Sequence, residues 1–246
     1  MSSVTRFSWP KILPPLSAEQ QAIADDFLRH WLTLVPRRFG AFTRFGHEYP
    51  LKFARAPCRT IEIGAGQGAH LEYENLAEQE YHCIEIRPTV ADDLRARFPT
   101  TNVTVADCQE RMPFPDDHFD RAIAIHVLEH LRDLPRAVAE LHRLLRPGGI
   151  LAIVIPCDPG LAYWLARKLT SEPLFRKRYG TDYRWFIEQE HVNSPAEVLS
   201  VLRTEFDEID RTYFPLRIPI VSANLCIGLT YERSTTKNKV RAQFSM

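Results

Sequence analysis

Between Thr60 and Leu71 the chain reads Thr-Ile-Glu-Ile-Gly-Ala-Gly-Gln-Gly-Ala-His-Leu, the stretch that most limits what it can fold into. A short β-prone run carries an acid, Glu62, between two isoleucines and then breaks into glycine at every second position, Gly64, Gly66 and Gly68. Glycine has no Cβ, so the backbone there can turn tightly, take positive φ and press against a ligand. A strand that stops in such a loop and passes into a helix is how an open α/β sheet builds a nucleotide site at the carboxyl end of its first strand. The spacing is GxGxG, not the GxGxxG of dinucleotide folds, and the acid precedes the glycines. The pattern therefore points to an adenosine-bearing ligand other than a dinucleotide.

Downstream, hydrophobic periodicity alternates between strand and helix. It predicts strands at 60–63, 81–86, 103–106 and 119–125, with helices at 69–77 and 90–98 between the first three. Leu131, Leu134, Val138, Leu141, Leu144 and Leu145 form an i, i+3, i+4, i+7 stripe that ends at Pro147-Gly148-Gly149. Ile150 to Ile155 is continuously apolar, as a strand buried on both faces is. A helix over 195–204 and strands near 206–214 and 223–232 complete the reading, which is a parallel, doubly wound sheet with right-handed crossovers.

Two segments stand outside that rhythm. Residues 1–57 are expected to form an N-terminal helical cap. Its first helix starts at the N-cap Ser17 and carries Ile23, Phe27, Leu28, Trp31, Leu32 and Val35 on one stripe. A second helix and loop, rich in aromatic and basic residues, follow over 37–53. Residues 58–233 form the ligand-binding domain, interrupted at 158–190 by a basic, aromatic insertion expected to act as a lid. Residues 234–246 read as a polar tail.

The 246 residues are enough for one large domain. Such a chain buries roughly 70% of its unfolded surface, so no metal or disulfide staple is needed for stability. Formal net charge is zero, which argues against a nucleic-acid partner. The five cysteines, Cys58, Cys83, Cys108, Cys157 and Cys226, are scattered singly with no CxxC pair, the usage of a reduced cytoplasmic protein. The N-terminus has no apolar core of a signal peptide, and no apolar run of about 18 residues is present to span a bilayer.

Three acids close three successive predicted strands: Glu62, Glu85 and Asp107. All then lie along the carboxyl edge of the sheet, where doubly wound folds bind ligands. Glu85 stands roughly twenty residues past the glycine loop, the offset at which an acid accepts from ribose hydroxyls. Asp107 is suited to accept from an exocyclic amine such as adenine N6. Glu62 is expected to be partly buried and must find donors, either a ligand ammonium or loop N–H groups.

In these features the chain resembles the class I S-adenosylmethionine-dependent methyltransferases, particularly the ubiquinone/menaquinone-biosynthesis-like branch. The resembling motifs run in the family's order over roughly residues 58 to 156. They are Glu-Ile-Gly-Ala-Gly-Gln-Gly (62–68), Ile-Glu-Ile (84–86), Ala-Asp-Cys-Gln (106–109), Met-Pro-Phe-Pro-Asp-Asp-His-Phe-Asp (112–120), Val-Leu-Glu-His-Leu (127–131) and Leu-Leu-Arg-Pro-Gly-Gly (144–149). The resemblance implies a Rossmann-like methyltransferase fold with a seven-stranded, mostly parallel sheet, and S-adenosylmethionine as methyl donor. It implies that Gly64, Ala65, Gly66 and Gly68 lie at the methionine portion and that Glu85 and Ile86 lie at the ribose. Asp107 would hold the adenine amine, Cys108 and Gln109 would flank the ring, and Ile125 and His126 would lie near the sulfonium.

Methyl transfer from a sulfonium is an in-line displacement with a good leaving group. The protein has to align the acceptor, exclude water and, where needed, take a proton. His126, His130 and His191 are the candidate bases, because an imidazole titrates near neutrality. If residues 126–130 are helical, His126, Glu129 and His130 share a face and His191 completes a group of metal-ligand type. Some relatives have Glu, Glu, His at these three positions and use a divalent metal. This chain has His126 in place of the first Glu, which disfavours Mg²⁺, and the expectation is a site without metal.

The insertion interleaves Arg167, Lys168, Arg176, Lys177 and Arg178 with aromatic residues. It reads either as an amphipathic lid with a solvated basic face, or as a pocket for an anionic or sugar-bearing acceptor and a surface for peripheral membrane contact. The leading functional expectation is O- or N-methylation of a small molecule: a sugar, a glycan precursor or a quinone-like metabolite. The alternatives are a non-catalytic S-adenosylmethionine-binding sensor or partner subunit, and an NAD(P)-dependent oxidoreductase, which the GxGxG spacing disfavours.

Overall fold

A computed structural model describes residues 7–55 and 58–234, with the backbone alone at 32–33 and 35–37. Pro57, the side chains of Leu32 and Val35, and the tail beyond Ser234 lie outside the described residues.

Seven strands form one sheet in the order β3-β2-β1-β4-β5-β7-β6. They are β1 (Cys58–Ile63), β2 (Gln79–Glu85), β3 (Asn102–Val105), β4 (Phe119–Ile125), β5 (Leu145–Pro156), β6 (Asp207–Phe214) and β7 (Cys226–Glu232). Pairing is parallel throughout except at β7, which runs antiparallel to both β5 and β6. The seven-stranded, mostly parallel, doubly wound expectation is met. From β1 the chain winds outward through β2 to β3, then returns to place β4 on the other side of β1. The order thus reverses between β1 and β4, and a crevice opens there at the carboxyl ends of the strands. Ile63 of β1 is level with Ile84 of β2 and with Ala124 of β4, so the residues that follow all three strands meet at that crevice.

The helices are α1 (Ala18–Arg38), α2 (Gly40–Glu48), α3 (Pro88–Arg97), α4 (Leu134–Leu144), α5 (Leu161–Leu169), α6 (Ser171–Tyr179), α7 (Arg184–Glu190) and α8 (Pro195–Glu205). Local chemistry explains their starts. Ser17 Oγ accepts from Gln20 N–H while its own N–H donates to the Gln20 side chain, a reciprocal cap at the head of α1. Ser194 and Glu197 form the same box before α8, with Pro195 in its first turn. Asp133 caps α4, whose buried stripe of Leu134, Ala137, Val138, Leu141 and Leu144 packs on the sheet and against α8.

Four expectations change. The predicted helix at 69–77 is two 3-10 turns, Leu71–Tyr73 and Leu76–Glu78. Between them Glu74 is extended, which lets its buried carboxylate reach Arg121 at 2.8 Å and His70 at 2.9 Å. Those ion pairs override local helical preference. The stripe read from Leu131 begins later, at Leu134, after a separate 3-10 turn at Leu128–His130. The Pro-Gly-Gly expected to end that helix lies inside β5, which starts at Leu145 and draws it into the sheet. Finally, β7 starts at Cys226, because Asn224 binds Leu216 N–H and the carbonyls of Ile218 and Ile220, holding the preceding residues as a loop.

Candidate active site

The three loop glycines all take positive φ, +68° at Gly64, +54° at Gly66 and +79° at Gly68, but their surroundings differ. A Cβ on Gly64 would lie 2.6 Å from Val127, and one on Gly68 would lie 2.6 Å from both Leu94 and Phe98. Those two glycines serve the packing of the loop on its own domain. A Cβ on Gly66 would meet nothing nearer than the Gly64 carbonyl oxygen at 3.9 Å, so this glycine borders open space. Ala65 between them is buried and donates its N–H to Ile84 O at 3.0 Å, tying the loop to β2.

Glu85 ends β2 with its side chain buried. It accepts from Gly66 N–H at 3.1 Å and from Arg87 N–H at 3.0 Å and Nε at 2.8 Å. The carboxylate thus touches the loop at the one glycine that faces open space. Asp107, two residues past β3, accepts from the backbone and side-chain amides of Gln109 at 2.9 and 3.1 Å. Gln109 Oε1 in turn accepts from Asp133 N–H at 2.7 Å. Cys108 is buried and its thiol is pushed up to about 12 by burial, so it is a neutral packing group. Ile86 and Val105 leave apolar surface exposed beside these acids, the kind of face on which a purine ring can rest.

Glu62 is 3% exposed and accepts from the Tyr81 hydroxyl at 2.9 Å. Burial raises its carboxyl pKa. Of the donors left open by the sequence, the structure supplies a third kind, a neighbouring phenol. The same buried layer holds His70, Glu74 and Arg121, and α2 covers it by laying His47 on Tyr73 and His70 with ring centroids 5.1 and 5.7 Å apart. Burial, with His70 and His126 nearby, lowers the His47 pKa to about 4, so the ring is neutral near pH 7. Composition gave no signal for this layer, because its members are far apart in sequence.

On the other side of the crevice, His126 follows β4 with φ +54°, a left-handed conformation that is costly for a residue with a Cβ. Its N–H bonds to Val154 O at 2.8 Å, and its ring stacks on Phe42 of α2 at 5.4 Å. His126 Nδ1 lies 3.4 Å from Glu129 Oε1, while its Nε2 is buried without a hydrogen-bond partner. Glu129 is 2% exposed, and neither carboxylate oxygen makes a hydrogen bond among the described residues. Burial alone would raise its pKa, but His126, His130 and His191 together outweigh burial and hold it low.

The expectation of a helical face over 126–130 fails: Leu128–His130 is a 3-10 turn, and His126 precedes it with a different backbone. The ligand atoms that converge are those of Glu129, His130 and His191, all within 4.8 Å of one another, without His126. The turn is clamped by residues the spacing did not single out. Val192 and Asn193 N–H groups donate to Glu129 O at 2.9 and 3.0 Å. The Asn193 amide donates to Leu128 O and Leu131 O and accepts from Trp9 Nε1 at 2.9 Å. Asp158, at the start of the insertion, bonds His191 Nδ1 at 2.8 Å.

This crevice, with a glycine cradle and acids at the ends of consecutive strands, can now be compared with known proteins. Residues 61–153 match the methyltransferase domain family. Over these residues the chain is similar to S-adenosylmethionine-dependent methyltransferases. A probable S-adenosylmethionine-dependent methyltransferase of Mycobacterium tuberculosis is 30% identical over 96 residues, 39% of this chain and 35% of that protein. A 2-methyl-6-phytyl-1,4-hydroquinone methyltransferase of rice is 29% identical over 119 residues, 44% of this chain and 33% of that one. The chain thus spans about a third of the length of these curated relatives. The solved N-methyltransferase NodS of Bradyrhizobium japonicum, in complex with S-adenosylhomocysteine, superposes with a TM-score of 0.60. It is 15% identical and covers 87% of this chain and 97% of its own, a likeness of fold.

A cleft of about 670 Å³ lies along α5, α6 and α7, lined in part by Asp158, Trp164, Arg167, Lys168 and His191. Asp158 and His191 belong both to this cleft and to the histidine cluster. The insertion around it rests on an aromatic cluster in which Phe27 of α1 meets Phe175 at 4.9 Å and Phe186 at 5.2 Å. Among the described residues no helix is long and apolar enough to cross a membrane.

Proposed function

We propose that this protein is an S-adenosylmethionine-dependent methyltransferase that methylates an oxygen or nitrogen of a small molecule, as an enzyme of the ubiquinone/menaquinone-like branch. One observation carries the reading: the open cradle at Gly66 is bonded through its N–H to the buried carboxylate of Glu85, at the point where the strand order reverses. In this reading the cradle takes the methionine portion, and Glu85 accepts the ribose hydroxyls after Arg87 swings aside. Asp107 accepts the adenine amine between Ile86, Cys108 and Gln109. Ile125 and His126 bound the sulfonium end. Glu62 acts from beneath, through the layer that supports the loop.

Transfer requires a dry, aligned acceptor. The N-terminal helices 1–57 and the insertion 158–190 roof the crevice and choose that acceptor. His126 is the preferred base: its Nδ1 faces the Glu129 carboxylate, which orients the ring, and its Nε2 has no hydrogen-bond partner among the described residues. The acceptor O–H or N–H proton passes to Nε2 as the acceptor atom bonds the methyl carbon and the C–S bond breaks. His130 and His191 position the acceptor from the cleft side. The cleft's Trp164, Arg167 and Lys168 suit a sugar, an anion or a hydroquinone-like ring. Zero net charge favours such metabolites over nucleic acid, and five free cysteines favour a reducing, cytoplasmic setting.

Two measurements test this. Calorimetric titration with S-adenosylhomocysteine should give one site per chain, and NADH should give none. Labelled S-adenosylmethionine, offered with sugars, hydroquinones, acidic metabolites and RNA, should label a small molecule. Labelling of RNA alone, or binding without turnover, would overturn the small-molecule or the catalytic reading respectively. Shortening residues 159–186 should change acceptor selectivity, and unchanged selectivity would remove the insertion's role.

A further inference from the structure

We propose that α5 and the loop over 215–220 form a docking surface for an anionic phospholipid bilayer. The inference stands on exposed side chains and their charge and does not depend on methyl transfer. A helix on a globular domain ordinarily turns its apolar stripe inward. In α5 no residue is buried, and Leu161, Trp164, Leu165 and Leu169 are exposed by 69%, 47%, 48% and 71%. Their spacing, i, i+3, i+4 and i+8, puts them on one face, and that face is the outer one. Tyr163, on the other side of the helix, packs on the core beneath.

The surface continues past the insertion. Residues 215–220 are exposed without a break, and Leu216, Ile218 and Ile220 are among them. The turn that follows, Val221–Ala223, touches α5: a Cβ on Gly160 would lie 3.2 Å from Ser222 Cα. Seven of the twelve exposed large apolar side chains among the described residues thus fall on two adjoining segments. Apolar residues scattered singly over a surface need no partner, whereas a contiguous group marks a contact with another body.

Charge selects the partner. Residues 159–169 and 214–225 contain no acid, and between them they carry Arg167, Lys168 and Arg217. Arg217 is exposed and makes no ion pair among the described residues. Lys168 is half-exposed, with its Nζ 6.0 Å above the Trp164 ring. The acids that pair with Arg167 and Lys168, Asp158 and Glu172, are themselves buried, so the charge displayed beside the leucines is positive. Leucines that enter the acyl boundary, a Trp at headgroup level and long cationic side chains reaching phosphate match an anionic leaflet. A second copy of the chain would instead set Lys168 and Arg217 against cations of the same patch. The helix lies on such a surface and does not cross it. Trp164 and Lys168 also line the cleft along α5, α6 and α7, so docking brings that cleft to the lipid.

The test uses the full chain and vesicles of phosphatidylcholine with or without phosphatidylglycerol. Flotation should recover the chain with phosphatidylglycerol vesicles and not with phosphatidylcholine alone, and added salt should release it. L165E and L169E should each lower vesicle affinity about tenfold or more, and R217Q should lower it about fivefold. These residues are exposed, so the thermal unfolding of all three variants should match wild type. Lipids brominated on the acyl chains should quench wild-type fluorescence, and W164F should lose most of that quenching. Failure of wild type to bind phosphatidylglycerol vesicles would overturn the proposal, as would undiminished binding by both L165E and L169E. Dimerisation in sedimentation velocity that L165E abolishes, without vesicle binding, would give the patch to a second copy. Donor binding is measured without vesicles, so failure here leaves the donor-site reading standing.

Discussion

His191 Nδ1 donates to Asp158 Oδ2 across 2.8 Å, joining two residues from opposite ends of the insertion between β5 and α8. The 32 residues between them leave the sheet and return to it at the same place, beside Glu129. An insertion closed in this way can roof a crevice without a long, floppy connection, because its ends are fixed by the site itself. The aromatic cluster under α6 and α7 then only has to set its tilt.

That cluster makes the first prediction. Phe27 is 1% exposed and meets Phe175 and Phe186 edge-on. F27A should cost about 3–5 kcal/mol. Hydrogen exchange should rise more in residues 171–190 than in β4 and β5, and equal rises in both would refute an independently anchored insertion.

The glycine loop separates a binding role from a packing role. G66A should cost about 1–2 kcal/mol of stability for the left-handed backbone, and should weaken S-adenosylhomocysteine by at least tenfold, because its Cβ enters the open cradle. G68A should cost more stability, about 2–4 kcal/mol, by clashing with Leu94 and Phe98. Calorimetry and urea unfolding on both variants decide this; a loss of binding only in G68A would reverse the assignment.

In the proposed complex the Arg87 side chain and the ligand compete for the Glu85 oxygens. E85Q should weaken S-adenosylhomocysteine about 10–100-fold, the worth of hydrogen bonds to a charged acceptor. R87A, which removes the Nε bond to Oε1 and keeps the backbone N–H bond, should leave binding unchanged or tighter. A tenfold loss in R87A would mean that Arg87 itself holds the ligand.

Acid stability should carry the signature of His47, whose pKa falls from 6.5 to about 4 on folding. Between those values the unfolded chain binds the proton and the folded chain does not. Stability is therefore full above pH 6.5 and is lost as pH falls toward 4, by about 2 kcal/mol from this group between pH 7 and 4.5. Glu74, held near 2 by His70 and Arg121 against its burial, adds its loss only below pH 4.5. Urea midpoints of wild type and H47Q at pH 7 and 4.5 test this. An H47Q slope as steep as wild type would assign the effect to other groups.

Removing the proposed base should slow chemistry and spare donor binding. H126Q is expected to lower kcat by about 10²–10⁴ with the S-adenosylhomocysteine Kd within threefold. Wild-type turnover in both H126A and H130A would end the histidine proposal.

Much of the fold was legible because its signals are local. Gly64, Gly66 and Gly68 mark a sharp loop wherever the strand before them lies, and alternating apolar runs announce a parallel sheet through burial alone. Glu85 and Asp107 were placed by counting from strand ends, since a parallel sheet brings those ends level. The helix misread at 69–77 shows the limit: Glu74 is pulled extended by Arg121, 47 positions away, and no window of local sequence contains that ion pair. The histidines were legible as a type and not as an arrangement. Spacing suggested a helical face of His126, Glu129 and His130, whereas the 3-10 turn and the return of the insertion set Glu129 and His130 beside His191.

By itself the sequence determined the sheet, the glycine cradle and the acids along its edge, because each follows from backbone sterics and hydrophobic periodicity within a few residues. Tertiary structure alone decided which glycine faces open space, which group satisfies Glu62, and where the imidazole nitrogens point. Those are properties of side chains meeting from distant segments, where burial makes each unpaired charge costly and the packing of the whole chain chooses the partner.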